Sequence, residues 1–178
     1  MKNHLQRNMA ALGLGADAHY AARILELGGE YKYDFGAGTE KPWHFAPYVN
    51  MQLSRLWQDG YTESGAGIFG QRVSGMTNNY FAGGIGIELK RYLANGSYAL
   101  RLGAKHAFTG ANPRLRFGYA GGGGSYEMRG EQDVTHFVVS LGGEAEFAPG
   151  WTLSGDAALE RGAHDRDMMC ALTLRRMW

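Results

Sequence analysis

From residue 24 onward, apolar and charged residues alternate with a period of two, and the charges keep to one parity. This is the feature that most limits what the chain can fold into. In the first clear run Leu25, Leu27, Tyr31, Tyr33 and Phe35 share one parity, and Glu26, Glu30, Lys32 and Asp34 share the other. Successive side chains of a strand point to opposite faces, so the pattern describes a strand lying between two different solvents. The same alternation returns along the chain. Met51 and Leu53 oppose Asn50 and Gln52; Ile85, Ile87 and Leu89 oppose Glu88 and Lys90; Leu100 and Leu102 oppose Arg101 and Lys105. Farther on, Val139, Leu141 and Ala145 oppose Ser140, Glu144 and Glu146, and in the last run Leu172 and Leu174 oppose Thr173 and Arg175. Helical spacing fits none of these segments.

Turn residues divide the runs. Asn95-Gly96 is a favoured hairpin dipeptide, Pro149-Gly150 makes a tight turn, and residues 36–43, 58–64 and 109–113 read as polar or Gly/Pro-containing connections. A Gly-rich strand is expected over residues 66–73. Residues 114–129 are expected to form a long strand or a pair of segments interrupted by Gly121 to Gly124, that run serving as a bulge or kink in a sheet wall. Residues 1–23 are weakly patterned and receive no element; 24–178 form the expected domain. The count is about nine strands in an up-and-down antiparallel meander.

Alternation alone suits a soluble barrel, with its apolar face inward, as well as a membrane barrel, with that face toward lipid. The ends of the runs separate the two. Tyr33, Phe35, Phe147, Trp151 and Trp178 are aromatic, and Arg91, Arg161 and Arg176 place cations at ends only, with Arg176 beside Trp178. Aromatic and cationic ends around an apolar middle make the girdle of a transmembrane β-barrel. The sequence therefore predicts an all-β, antiparallel, up-and-down transmembrane β-barrel.

Composition excludes several functions. Lys and Arg total 18 against 17 Asp and Glu, a net charge of +1, which leaves no electrostatic footprint for nucleic acid. The single Cys170 has no companion for a thiolate metal site, the six His residues fall at no ligand spacing, and no nucleophile elbow occurs. The glycine run lacks the Lys-Ser/Thr pair of a phosphate loop. Neither an enzyme nor a cofactor is expected. The charged parity, Glu26, Glu30, Lys32, Glu88, Lys90, Arg101, Lys105, Glu144, Glu146 and Arg175, is expected to line a hydrated, charge-balanced lumen.

Five segments in register carry a resemblance: Leu27-Gly-Gly-Glu-Tyr31, Phe45-Ala-Pro-Tyr48, Asp59-Gly-Tyr-Thr-Glu-Ser-Gly65, Ala99-Leu-Arg-Leu-Gly-Ala-Lys-His-Ala-Phe108, and residues 171–178. Over residues 24–178 the chain resembles the C-terminal two-thirds of the autotransporter β-domain, the outer-membrane barrel of type V secretion. The resemblance implies a barrel of about a dozen strands, about nine of them present here, that anchors an N-terminal passenger and helps it reach the cell surface. It also implies outer-membrane lipid and the barrel assembly machinery as partners. Leu172, Leu174 and Trp178 would be the assembly signal, and Arg176 stands where relatives carry an apolar or aromatic residue. Against that pattern the front strands, linker helix, passenger and signal peptide are expected to be missing. Asn78-Asn79 lies between two strands, so the self-cleaving Asn pair of some relatives is not assigned to it. The rival readings are a small eight-stranded structural or adhesive barrel, an outer-membrane barrel enzyme, and a soluble ligand-binding barrel.

Overall fold

The computed structural model describes the backbone of residues 2–177; the side chain of Lys2 and all of Met1 and Trp178, including its part in the expected assembly signal, lie outside the described residues. Twelve strands follow in order: β1 (Lys2–Met9), β2 (Leu14–Lys32), β3 (Trp43–Gln58), β4 (Tyr61–Thr62), β5 (Gln71–Val73), β6 (Met76–Leu93), β7 (Gly96–Thr109), β8 (Arg114–Tyr119), β9 (Ser125–Arg129), β10 (Thr135–Ala148), β11 (Trp151–Arg161) and β12 (Arg166–Arg176). Eight form one sheet in the order β1-β2-β3-β6-β7-β10-β11-β12, and β4-β5-β8-β9 form a second of four strands. The chain is all-β and antiparallel.

Three segments differ from the sequence reading. Residues 2–23, which received no element, supply β1 and the first part of β2, paired from Lys2↔Ala21 to Met9↔Leu14. Their side chains, buried Ala16 and Ala18 alternating with Asp17 and His19, are too small and polar to give an apolar alternation. Over residues 66–73 only Gln71–Val73 is strand, after a 3-10 turn at Gly67–Phe69. The glycine run is the turn between β8 and β9 rather than a kink in a wall. Gly122, Gly123 and Gly124 have φ of 92°, 102° and 94°, a region that a side chain disfavours.

The chain divides into two compact units, one of Met1–Leu27, Leu53–Phe81 and Thr109–Glu131, the other of Gly28–Gln52, Ala82–Phe108 and Gln132–Trp178. The first contains the four-stranded sheet, built from the connections that follow β3 and β7. It is pinned by Arg7, whose Nε and Nη2 donate to Glu63 at 3.1 and 2.5 Å, while Glu63 also accepts from the Gln71 amide at 2.8 Å.

The second unit contains the β7-β10-β11-β12 series, in register from Thr135↔His106 through Leu141↔Leu100 and from Leu153↔Leu174. Here the exposure pattern is the reverse of a soluble domain. Met51 is 58% exposed, Ile85 66%, Leu141 57% and Leu174 58%, whereas Glu88 on the opposite parity is 5% exposed. Across the described residues the buried positions are mostly alanine, with Glu63, Glu88 and Ser97, and no large side chain is fully buried. A chain without an apolar core is not driven together by water alone, and its greasy face must meet another apolar phase. We expect Leu141→Arg to lose about 2–4 kcal/mol at membrane midplane depth. Ser154→Arg, on the charged parity opposite Glu144, should be tolerated. Heat-modifiable migration of the two variants refolded in detergent checks this; equal folding would refute it.

Candidate functional site

The charged parity of β2, β6 and β7 converges on one carboxylate. Glu88 of β6 accepts from Lys32 Nζ of β2 at 2.8 Å and from Arg101 Nε of β7 at 2.6 Å. Arg101 then spends its two terminal nitrogens on Glu30, each donating at 3.2 Å, so one guanidinium bridges two acids. Two cations and two carboxylates neutralise one another. A buried carboxylate needs that arrangement, since an unpaired one would carry an uncompensated desolvation penalty.

Tyr48 of β3 completes the layer, its ring 5.2 Å from the Arg101 guanidinium. Glycine makes room for it. A Cβ on Gly86 or Gly103 would stand 2.5 Å from Tyr48 Oη, so the phenol lies flat over β6 and β7 only because those two positions have no side chain. Deeper in sequence, Lys105 Nζ donates to Glu160 at 2.7 Å. A cavity of about 600 Å³ opens beside Glu88 and Arg101, lined also by Lys90, Ser140, Glu144 and Asp156.

Of the charged positions expected to act together, Glu30, Lys32, Glu88 and Arg101 meet in one cluster and Lys105 meets Glu160. The others do not join it. Lys90 stands over the Tyr92 ring at 4.7 Å, Glu146 accepts from the Gly150 amide at 2.9 Å, and Glu26, Glu144 and Arg175 make no ion pair among the described residues. Leu172 and Leu174 lie on β12, an outermost strand of the sheet whose every residue is exposed. Sequence reasoning passed over Tyr48, whose only signal was its place on the charged parity.

Two further groups flank the layer. Asp34 accepts from the Gly36 amide at 2.7 Å and pairs with His44 Nδ1 at 2.8 Å, and the imidazole holds the Asp34 carboxyl below the usual carboxylate range. The connections before β10 and before β12 are clasped by two aspartates. Asp133 accepts from the His164 amide at 2.6 Å and the Asp165 amide at 3.2 Å, and Asp165 accepts from the Asp133 amide at 3.0 Å and pairs with His136 Nε2 at 2.8 Å. The backbone and imidazole donors of His164 pull Asp133 down to about 2. No described group of His, Cys, Asp and Glu is arranged to hold a metal ion.

At the end of the second unit carrying the short turns 94–95 and 149–150, aromatic rings and arginines share the exposed parity. Arg91 lies 5.2 Å from the Trp43 ring centroid, and Arg176 lies 5.1 Å from that of Trp151, its cross-strand partner. Arg176, expected beside Trp178, thus sits on an indole of the neighbouring strand. The pattern matches a family model described as "Autotransporter beta-domain" over residues 1–158. The chain belongs to this family. No curated protein matches it. The autotransporter β-domain is an outer-membrane β-barrel translocator of type V secretion, and the inverted exposure, the paired charges and the aromatic ends are those of such a domain.

The charge layer generates one prediction about stability. Glu88→Ala leaves Lys32 and Arg101 without their shared carboxylate; both are about a third exposed, so the cost should be about 2 kcal/mol, below the ~3–5 kcal/mol of a fully buried pair. Glu146→Ala should shift stability by less than about 0.5 kcal/mol. Urea midpoints of the folded domain in lipid vesicles separate these outcomes. The aspartate clasp generates one about pH. The Asp133 carboxyl is held at about 2 against an ordinary value of about 3.9, so folding favours its charged form. Its contribution is complete above about pH 4 and is lost as pH falls through 2. The His164 amide resonance, which reports on the carboxylate it donates to, should move sharply near pH 2. Asp133→Asn should remove that step.

Proposed function

We propose that this autotransporter β-domain anchors a passenger segment joined to its N-terminus in the outer membrane and assists its export to the cell surface. The observation that carries the reading is the inversion of exposure: an apolar parity laid open beside a charged parity that is paired and partly buried. On this reading the open parity contacts lipid. Glu26, Glu30, Lys32, Glu88, Lys90, Arg101, Lys105, Glu144, Glu146 and Arg175 line a hydrated lumen. A balanced lumen suits a passing polypeptide, because water and paired ions offer no apolar surface on which it would stall.

The end with the short turns faces the periplasm, where barrel turns are short, and the longer connections 59–75 and 110–134 face outward. Leu172, Leu174 and Trp178 form the signal read by the barrel assembly machinery. An outermost strand offers its backbone donors and acceptors to a receptor's edge, and alternate apolar side chains supply the specificity.

The test is a tagged reporter fused ahead of residue 1 behind a signal peptide. External protease on intact cells should remove the reporter while the domain remains folded in the outer-membrane fraction. Deleting Trp178 should lower the outer-membrane level to background. A reporter that stays protected although the domain is folded there would refute the export role, and a Trp178 deletion that inserts normally would refute the signal.

A further inference from the structure

Arg91 occupies an unusual place. It belongs to the apolar parity of β6, in line with Ile85, Ile87, Leu89 and Leu93, yet it carries a full charge. Its guanidinium lies over the Trp43 indole at 5.2 Å and donates from Nη1 to Tyr98 Oη at 3.3 Å. Trp43 and Tyr98 meet edge to face with centroids 6.0 Å apart, so β3, β6 and β7 together build a two-ring seat for one cation. Among the described residues no carboxylate pairs with Arg91, and its Nε is buried without a hydrogen-bond partner. The paired carboxylates of this unit lie on other ground, Glu30, Glu88 and Glu160 on the opposite parity and Asp34, Asp133 and Asp165 in the connections.

We propose that Arg91, seated between Trp43 and Tyr98, binds the phosphodiester of a membrane phospholipid whose acyl chains run along Leu89 and Ile85. This rests on the reading that the exposed parity contacts lipid, and adds to it a defined headgroup site. The chemistry is specific. A guanidinium presents a planar fork of donors that matches phosphate oxygens two at a time, which an ammonium does not. The indole and phenol hold the fork at the depth where aromatic side chains sit at a membrane surface, and the indole face and the phenol oxygen compensate the charge electrostatically until an anion arrives. Leu89 and Ile85 are 37% and 66% exposed, an apolar track leading away from the cation along the same strand. An anion with hydrocarbon tails complements both parts; a free anion complements only the first.

The experiment uses the full chain folded in vesicles of phosphatidylglycerol, extracted into dodecyl maltoside, which carries no phosphate, and weighed by native mass spectrometry. Wild type should retain one phospholipid per chain. Arg91→Gln should retain about tenfold less, equivalent to about 1.4 kcal/mol. Arg91→Lys keeps the charge without the fork and should fall between the two. Heat-modifiability first establishes that each variant is folded. Addition of inorganic phosphate should leave the retained lipid in place. Retention by both variants equal to wild type overturns the site, and displacement by inorganic phosphate assigns it to a free anion instead. If the chain folds and stays dissolved without detergent or vesicles, the membrane reading itself fails; if it requires them and only the Arg91 variants behave as wild type, the lipid site alone fails.

Discussion

The shared carboxylate of Glu88 is the interaction on which the rest of the second unit depends. It joins Lys32 of β2 to Arg101 of β7, and through Arg101 it reaches Glu30 again on β2. Residues far apart in sequence are thereby tied across one face without a hydrocarbon core. In a soluble domain apolar burial would do this work. Here the apolar parity is open, so cohesion on the other parity must come from hydrogen bonds, ion pairs and close backbone approach. The glycines follow from the same constraint. Gly86 and Gly103 let Tyr48 lie against the sheet, which brings its ring beside Arg101. A larger residue at either position would force the phenol off the strands and loosen the charge layer.

Backbone satisfaction sets the second condition. A segment surrounded by hydrocarbon cannot leave amide groups unpaired, which is why only helices and paired strands cross a membrane. No described helix is long and apolar enough to do so, a statement that has no bearing on strands. The long β2, β3, β6, β7, β10, β11 and β12 supply the ladder hydrogen bonds. The connections after β3 and β7 meet the same demand differently, pairing with each other as β5 and β8, from Gln71↔Tyr119 to Val73↔Phe117. Arg7 and Glu63 then fix β1 to that second sheet within the first unit.

The short-turn end shows how charge is admitted to the apolar parity. Arg91 and Arg176 each stand over an indole, one from a neighbouring strand in the sheet and one from a direct cross-strand partner. Cations on this face are confined to the boundary, and aromatic faces receive them there. The exclusion of Asp and Glu from the same places is what makes a phosphate the natural complement.

The sequence by itself determined the long alternating strands from residue 24 onward, their two faces and the boundary aromatics, because a period-two pattern needs only the geometry of an extended chain to be interpreted. It could not say which of two parities is outside, since a soluble barrel and a membrane barrel share the alternation; aromatic ends tipped that choice, and exposure in the folded chain agrees with it. Partners were beyond reach. Nothing in the pattern pairs Lys32 with Glu88 rather than with Glu144, or sets Arg176 on Trp151, because register is decided by the whole ladder and not by any one strand. The same holds for residues 2–23, whose small and polar side chains hide a strand until β2 has a neighbour to pair with. For Gly121 to Gly124, the sequence specified conformational freedom, and only the pairing of β8 with β9 decided that it would be spent on a turn.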